Sequence, residues 1–134
     1  MLSRIEELMN DGTDFAFETT LASKSHTNRV RKSQEKGYHV TLIFLWLESI
    51  ELAKERVKRR VVEGGHNIPE HVIERRYKNG LRNLFQLYST ECDSTLVFDN
   101  SKTNPIFVFE TGKGENETIF DTYRFKKMKG QAHY

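Results

Sequence analysis

Val40-Thr-Leu-Ile-Phe-Leu-Trp-Leu47 is an almost unbroken apolar run, and an amphipathic stretch opens three residues later at Ile50. The run is apolar on both faces of a pleat. That predicts a central strand of a mostly parallel sheet, covered on both sides. It is too short to span a bilayer. Beyond it, Ile50, Ala53, Val57 and Val61 recur at helical spacing while Lys54, Glu55 and Lys58 face away, so a helix follows the strand and stops at Gly64-Gly65. Asn67-Ile-Pro69-Glu70 starts another helix, with proline in the first turn where its missing N–H costs little. Its apolar positions, Val72, Ile73, Tyr77, Leu81, Leu84 and Phe85, carry it to about Tyr88. Ser94-Thr-Leu-Val-Phe98 reads as a second buried strand, ending in Asp99-Asn100-Ser101.

Working outward, Ile5, Leu8 and Met9 predict a short N-terminal helix ended by Asp11-Gly12, and Asp14-Phe-Ala-Phe-Glu18 predicts a strand. Thr19 to Ser23 is a polar turn. A basic helix from about Lys24 to Lys36 comes next, with Gly37 as its stop. On the other side, Pro105 to Glu110 and Thr118 to Phe125 predict two strands of a C-terminal hairpin, joined through Gly112-Lys113-Gly114. The alternation of strand and helix predicts an open α/β fold with helices flanking the sheet. Residues 1–125 are expected to form that domain and 126–134 a basic, frayed tail.

Bulk composition agrees with a single small domain. The chain has 134 residues, 37% hydrophobic and 30% charged, with a formal net charge of +2. So small a basic excess gives no reason to expect nucleic acid as a partner. Cys92 is the only cysteine, which excludes an internal disulfide and points to a reducing compartment. The charged N-terminus is not a signal peptide, so the expectation is a cytoplasmic protein with no membrane partner.

Ligands of open parallel sheets bind beyond the carboxyl ends of the strands. Three polar clusters fall there: Glu18-Thr19-Thr20, Glu48-Ser49 and Asp99-Asn100-Ser101. Each also reads as ordinary turn and cap chemistry. Arg56 and Arg60 are four apart and share a helix face, while Arg76, Asn79 and Asn83 form a row beside the apolar stripe of the next helix. Arginine suits phosphate because its planar fork gives bidentate, charge-assisted hydrogen bonds. Spacing alone leaves two readings of Arg60 and Arg76 open, a phosphate-binding groove or a solvated face paired with Glu63 or Glu74. Gly64-Gly65-His66-Asn67-Ile68-Pro69 between the two helices suits a lid hinge or a plain connection equally well. His66 and His71 are wrongly spaced for one helix face and no cysteine pair exists, so no metal ligands are assigned. Gly112-Lys113-Gly114 lacks the rest of a phosphate loop and reads as a hairpin turn.

Taken together, Phe15-Ala-Phe-Glu-Thr-Thr-Leu21, Arg56-Val57, Arg60-Val-Val-Glu-Gly-Gly-His-Asn-Ile-Pro69, Ile73-Glu-Arg-Arg-Tyr77, Leu81-Arg-Asn-Leu-Phe85 and Phe98-Asp-Asn-Ser101 resemble bacterial zeta-toxin-like P-loop kinases. The resemblance implies a P-loop kinase fold, ATP and Mg2+ as cofactors, and phosphoryl transfer to a hydroxyl, in zeta toxins proper that of a UDP-linked amino sugar. It implies that Glu18, with Thr19 and Thr20, holds the acceptor. Arg60 and Arg76 would be catalytic, on the nucleotide phosphates, with Arg56 and Arg75 beside them and Asn100 near the base or ribose. It also implies an antitoxin as a possible partner. The chain departs from the family in one respect: no G-x-x-x-x-G-K-[ST] occurs anywhere in it. By the resemblance, that loop follows a first strand lying mid-sheet, between the strand ending at Glu18 and the strand beginning at Val40. The expectation is therefore a chain inactive alone, unable by itself to hold ATP and Mg2+ productively. Its gap would be closed by direct strand pairing, a second copy of the chain or an N-terminal fragment. A non-enzymatic nucleotide, anion or nucleic-acid binding module is the alternative, carried by the basic helix with Lys24, Arg29, Arg31, Lys32 and Lys36.

Overall fold

The computed structural model describes residue 16 and residues 21–132. The N-terminal helix lies outside those residues, as does the strand at Asp14–Glu18 apart from Ala16, which is exposed. Helix α1 (Thr27–Glu35) leads to strand β1 (Thr41–Trp46), helix α2 (Ile50–Val62) and helix α3 (Glu70–Asn83). Helix α3 runs on through a π-helical turn (Leu84–Tyr88) and a last short turn (Ser89–Glu91). Strands β2 (Ser94–Asp99), β3 (Ile106–Gly112) and β4 (Thr118–Ile119) follow, and helix α4 (Thr122–Ala132) closes the described chain.

The α/β reading holds, with a sheet flanked by helices and a C-terminal hairpin. The four described strands are ordered β1-β2-β3-β4. β1 and β2 are parallel, with Thr41 opposite Ser94 and Trp46 opposite Asp99. β2–β3 and β3–β4 are antiparallel, so the described sheet is mixed. The core lies between this sheet and the α3–α4 layer. Trp46, Leu81, Leu84, Tyr88, Val97, Val108, Phe109 and Met128 are fully buried in it.

Two expectations need correction. β1 does not sit in the middle of the described sheet with both faces covered; it is an edge. Its alternation packs Leu42, Phe44 and Trp46 against the helical layer. Ile43 and Leu45 point to the other face and stay 58% and 54% exposed. The strand carries apolar residues for two faces, but the described helices cover one.

The tail is the second correction. Thr118 to Phe125 gives only a two-residue strand, and residues 122–132 are helical rather than frayed. Asp121 stops the strand by capping the helix: its carboxylate accepts from the Arg124 N–H at 3.0 Å. Phe125, Met128 and Ala132 then fall on one face, with Met128 and Ala132 buried. Period-two alternation and aromatic content over Thr118–Phe125 hid a helical period that only the following seven residues make visible.

Candidate functional site

The two arginines singled out by spacing reach the same groove. It has a volume of about 690 Å³ and runs along β1 from Thr41 to Leu47, beneath Arg60, Arg76, Tyr77, Gly80 and Leu81. Arg60 comes from the last turn of α2 and Arg76 from the middle of α3. Among the described residues neither guanidinium has an ion-pair or hydrogen-bond partner. Of the competing reading, a solvated face paired with Glu63 or Glu74, the ion pairs are not present among the described residues, Glu74 lying 2.6 Å from Lys54 Nζ, while both arginines are exposed. The hydrogen bond from Lys54, with the Lys54 charge, holds the Glu74 carboxyl below its ordinary value.

The Gly-Gly pair has a local cause. Gly64 takes a left-handed φ of +100°. Its N–H donates to Val61 O at 3.0 Å, and the Gly65 N–H to Arg60 O at 2.6 Å. These are the two bonds of a Schellman cap. A Cβ on Gly65 would lie 2.8 Å from the Arg60 carbonyl oxygen. The glycines thus end α2 tightly and hold the Arg60 backbone at the groove.

The weaker candidates are placed differently. Arg56 Nη2 donates to the carbonyls of Asn100 at 2.7 Å and Ser101 at 3.1 Å, so it ties α2 to the loop after β2. Asn100 is half-buried, and its N–H donates to Trp46 O at 2.7 Å. Arg75 is exposed and takes no part in the groove lining. Asn83 was expected to line a groove with Arg76. It is instead buried, with Nδ2 donating to Leu21 O at 2.7 Å. Its neighbour Tyr88 donates to Ser23 O at 2.6 Å. Together they pin the chain where it enters the described fold, at Leu21, whose φ of 57° is left-handed. Glu18, Thr19 and Thr20 lie outside the described residues.

Sequence reasoning missed the groups that hold the carboxyl ends of β1 and β2. Asp99 is 1% exposed. Its Oδ2 accepts from Arg124 Nε at 2.7 Å and its Oδ1 from the Ser101 N–H at 2.9 Å. Burial alone would push the Asp99 carboxyl up. Hydrogen bonds from Ser101 and Arg124, with the Arg124 charge, outweigh that and hold it below its ordinary value. Arg124 also bonds Asp121 at 2.7 Å and lies 3.8 Å from Glu48. At the end of β1, Gln131 of α4 bonds Trp46, Tyr77 and the Glu48 carbonyl. Burial pushes the Tyr77 hydroxyl up to about 12, so it stays protonated and acts as a donor. Both partners come from the segment read as strand end and tail, where a lone Arg and a lone Gln carry no spacing signal.

The groove suits anionic oxygen more than metal. Arg60 and Arg76, both exposed, border a partly apolar trough, and the planar fork of a guanidinium matches phosphate oxygens. Among the described residues no three His, Cys, Asp or Glu side chains converge as a metal site, and the buried Asp99 is already satisfied. Cys92 is buried, and burial pushes its thiol up to about 11, so it is no nucleophile. No helix among the described residues is long and apolar enough to cross a membrane.

Comparison with known proteins places these features. Residues 2–111 match the family described as Zeta toxin. An uncharacterized protein from Haemophilus influenzae is 35% identical over 63 residues, 47% of this chain and 45% of that relative. The matched stretch thus spans less than half of the relative's length. No solved structure matches.

Proposed function

The chain belongs to the zeta toxin family, and we propose that it carries the arginine lid and the acceptor side of an ATP-dependent phosphotransferase. The observation that carries this reading is that Arg60 and Arg76, with no ion-pair or hydrogen-bond partner among the described residues, line one groove at the β1 edge. Phosphoryl transfer needs positioning and positive charge more than covalent chemistry, and two converging arginines supply both to a polyphosphate. Glu18, with Thr19 and Thr20, is assigned to the acceptor hydroxyl, by family position that of a UDP-linked amino sugar. Asn100 is assigned to the base or ribose, with Arg75 as a peripheral charge. Arg56 serves this site indirectly, by fixing the loop that carries Asn100.

Catalysis on this reading requires a strand and phosphate loop that the 134 residues do not contain. The edge of β1, with Ile43 and Leu45 exposed, is where a completing strand fits by β-pairing. Magnesium, which the family implies, would draw its ligands from that segment and from the nucleotide.

The test is nucleotide binding. The purified chain is titrated with ATP at low salt, and binding is expected to fall at least tenfold in Arg60→Ala and in Arg76→Ala. Undiminished binding in both variants would remove the basis of the assignment. Phosphoryl transfer by the chain alone would overturn the requirement for a completing segment.

A further inference from the structure

Helix α4 lies beyond the residues that match the family, yet it is fastened at both ends to the strand ends beside the groove. We propose that α4 positions the Arg60–Arg76 groove and that Gln131 is the residue through which it acts. The proposal rests on the phosphate-binding reading above and adds a residue to it.

The Gln131 amide has one allowed orientation. Trp46 Nε1 can only donate and the Glu48 carbonyl can only accept. Oε1 must therefore face Trp46, at 3.0 Å, and Nε2 must face Glu48 O, at 2.9 Å. The Tyr77 hydroxyl has one proton. Leu47 O lies 2.6 Å from that hydroxyl and Gln131 Oε1 lies 3.0 Å from it, so the two acceptors compete for the proton. One side chain thus joins the end of β1, through Trp46 and Glu48, to α3, through Tyr77. Trp46, Leu47 and Tyr77 all line the groove, and Arg76 is the residue before Tyr77. Gln131 does not line the groove, so it touches no ligand there. At the other end of α4, Arg124 holds Asp99 at the carboxyl end of β2.

Two properties make this a positioning contact rather than simple packing. Trp46 is 1% exposed, so its N–H has no water to turn to if Gln131 is removed. Its remaining acceptor is the Tyr77 hydroxyl on α3, so relief draws the indole and α3 toward each other, which changes the spacing between Arg76 and the β1 wall. Charge-assisted forks lose strength over displacements of about an ångström. Arg60, on α2, is held by its own Schellman cap and does not depend on α4.

Trp46 is the only tryptophan in the chain, so its indole gives a single NMR cross-peak at the groove. The experiment titrates the full chain with inorganic tripolyphosphate at low salt. It compares wild type, Gln131→Met, Gln131→Asn and Arg76→Ala, well below their melting temperatures. In wild type the indole peak is expected to move on binding. In Gln131→Met the free peak shifts as its hydrogen bond is lost, and affinity falls about tenfold. The salt dependence of binding is retained, because no charge was removed. Arg76→Ala, in contrast, weakens the salt dependence, because a screened charge pair is lost. A folded Gln131→Met with wild-type affinity overturns the proposal and leaves the arginine reading intact. Wild type that does not bind, or binds no better than Arg76→Ala, overturns the arginine reading and this proposal with it. If Gln131→Met does not fold, Gln131→Asn decides: its amide sits one methylene short of Trp46, and unchanged affinity overturns the proposal.

Discussion

Replacing Arg124 by methionine is the perturbation that bears most directly on how this small domain is held together. The substitution removes the guanidinium from Asp99 and Asp121, each at 2.7 Å. The two losses are unequal. Asp121 is partly exposed, and once freed it is solvated, so its share is at most about 1 kcal/mol. Asp99 is 1% exposed and keeps only the bonds from Ser101. Breaking a buried pair from one side typically costs about 3–5 kcal/mol. Protonation sets a ceiling on the Asp99 share. Protonating a carboxyl held below its ordinary pKa of about 3.9 costs somewhat more than roughly 4 kcal/mol at pH 7, after which the charge is gone. With the Asp121 share included, the expected loss at pH 7 is about 3–5 kcal/mol.

The pH dependence follows from the same group. In wild type the Asp99 pKa is held below its unfolded value. Its stabilising contribution is present above about pH 4 and lost as pH falls through the folded pKa. In Arg124→Met burial is opposed only by the bonds from Ser101, and the folded pKa rises. The variant then takes up a proton on folding, and its deficit shrinks as pH falls from 7 toward 4. Urea unfolding followed by Trp46 fluorescence measures both. Adding Asp99→Asn to Arg124→Met should recover more than half of the loss at pH 7, because no orphaned charge remains. A loss below about 1 kcal/mol at pH 7, or no recovery in the double variant, would refute the reasoning.

Three further outcomes are expected. Asn83→Leu strips the donor from the Leu21 carbonyl and should destabilise the fold by about 1–3 kcal/mol in chemical denaturation; a change within error would mean that the Leu21 entry is held by other contacts. Gly65→Ala forces a Cβ against the Arg60 carbonyl at 2.8 Å. It should cost about 1–3 kcal/mol and weaken polyphosphate binding beyond that of Gly130→Ala, whose Cβ meets open space. Cys92, with its thiol pushed up to about 11 and buried, should react with a disulfide reagent at pH 8 only as fast as the chain unfolds. Rapid stoichiometric labelling of the native chain would contradict its placement.

That Arg60 and Arg76 border one groove was legible because helical spacing is a strong one-dimensional signal. Arg60 and Arg76 sit where the stripes of α2 and α3 predict, and the glycine pair between them reads as a helix stop. What spacing could not supply was the partner of each charge. Arg56 shares a face with Arg60, yet two carbonyls of a loop 44 and 45 residues away claim it. Asn83 stands in the same row as Arg76, yet it points into the core toward Leu21, 62 residues back. The C-terminal segment failed for a different reason. Its first residues alternate like a strand, and Asp121 carries a helix cap that is indistinguishable in sequence from a turn aspartate.

From sequence alone come the family, the α/β alternation, the absence of a phosphate loop and the identity of the two groove arginines. These depend on residue type and on periods of two and 3.6, which are local along the chain. Tertiary structure alone decides that β1 is an edge of the described sheet with one face open, that Arg56 is tied to the loop after β2 and Asn83 to Leu21, and that α4 locks the ends of β1 and β2. Each of these turns on which polar atom meets which across 25 to 85 residues of chain. A buried donor takes whatever acceptor the fold brings within about 3 Å, and no local pattern records that choice.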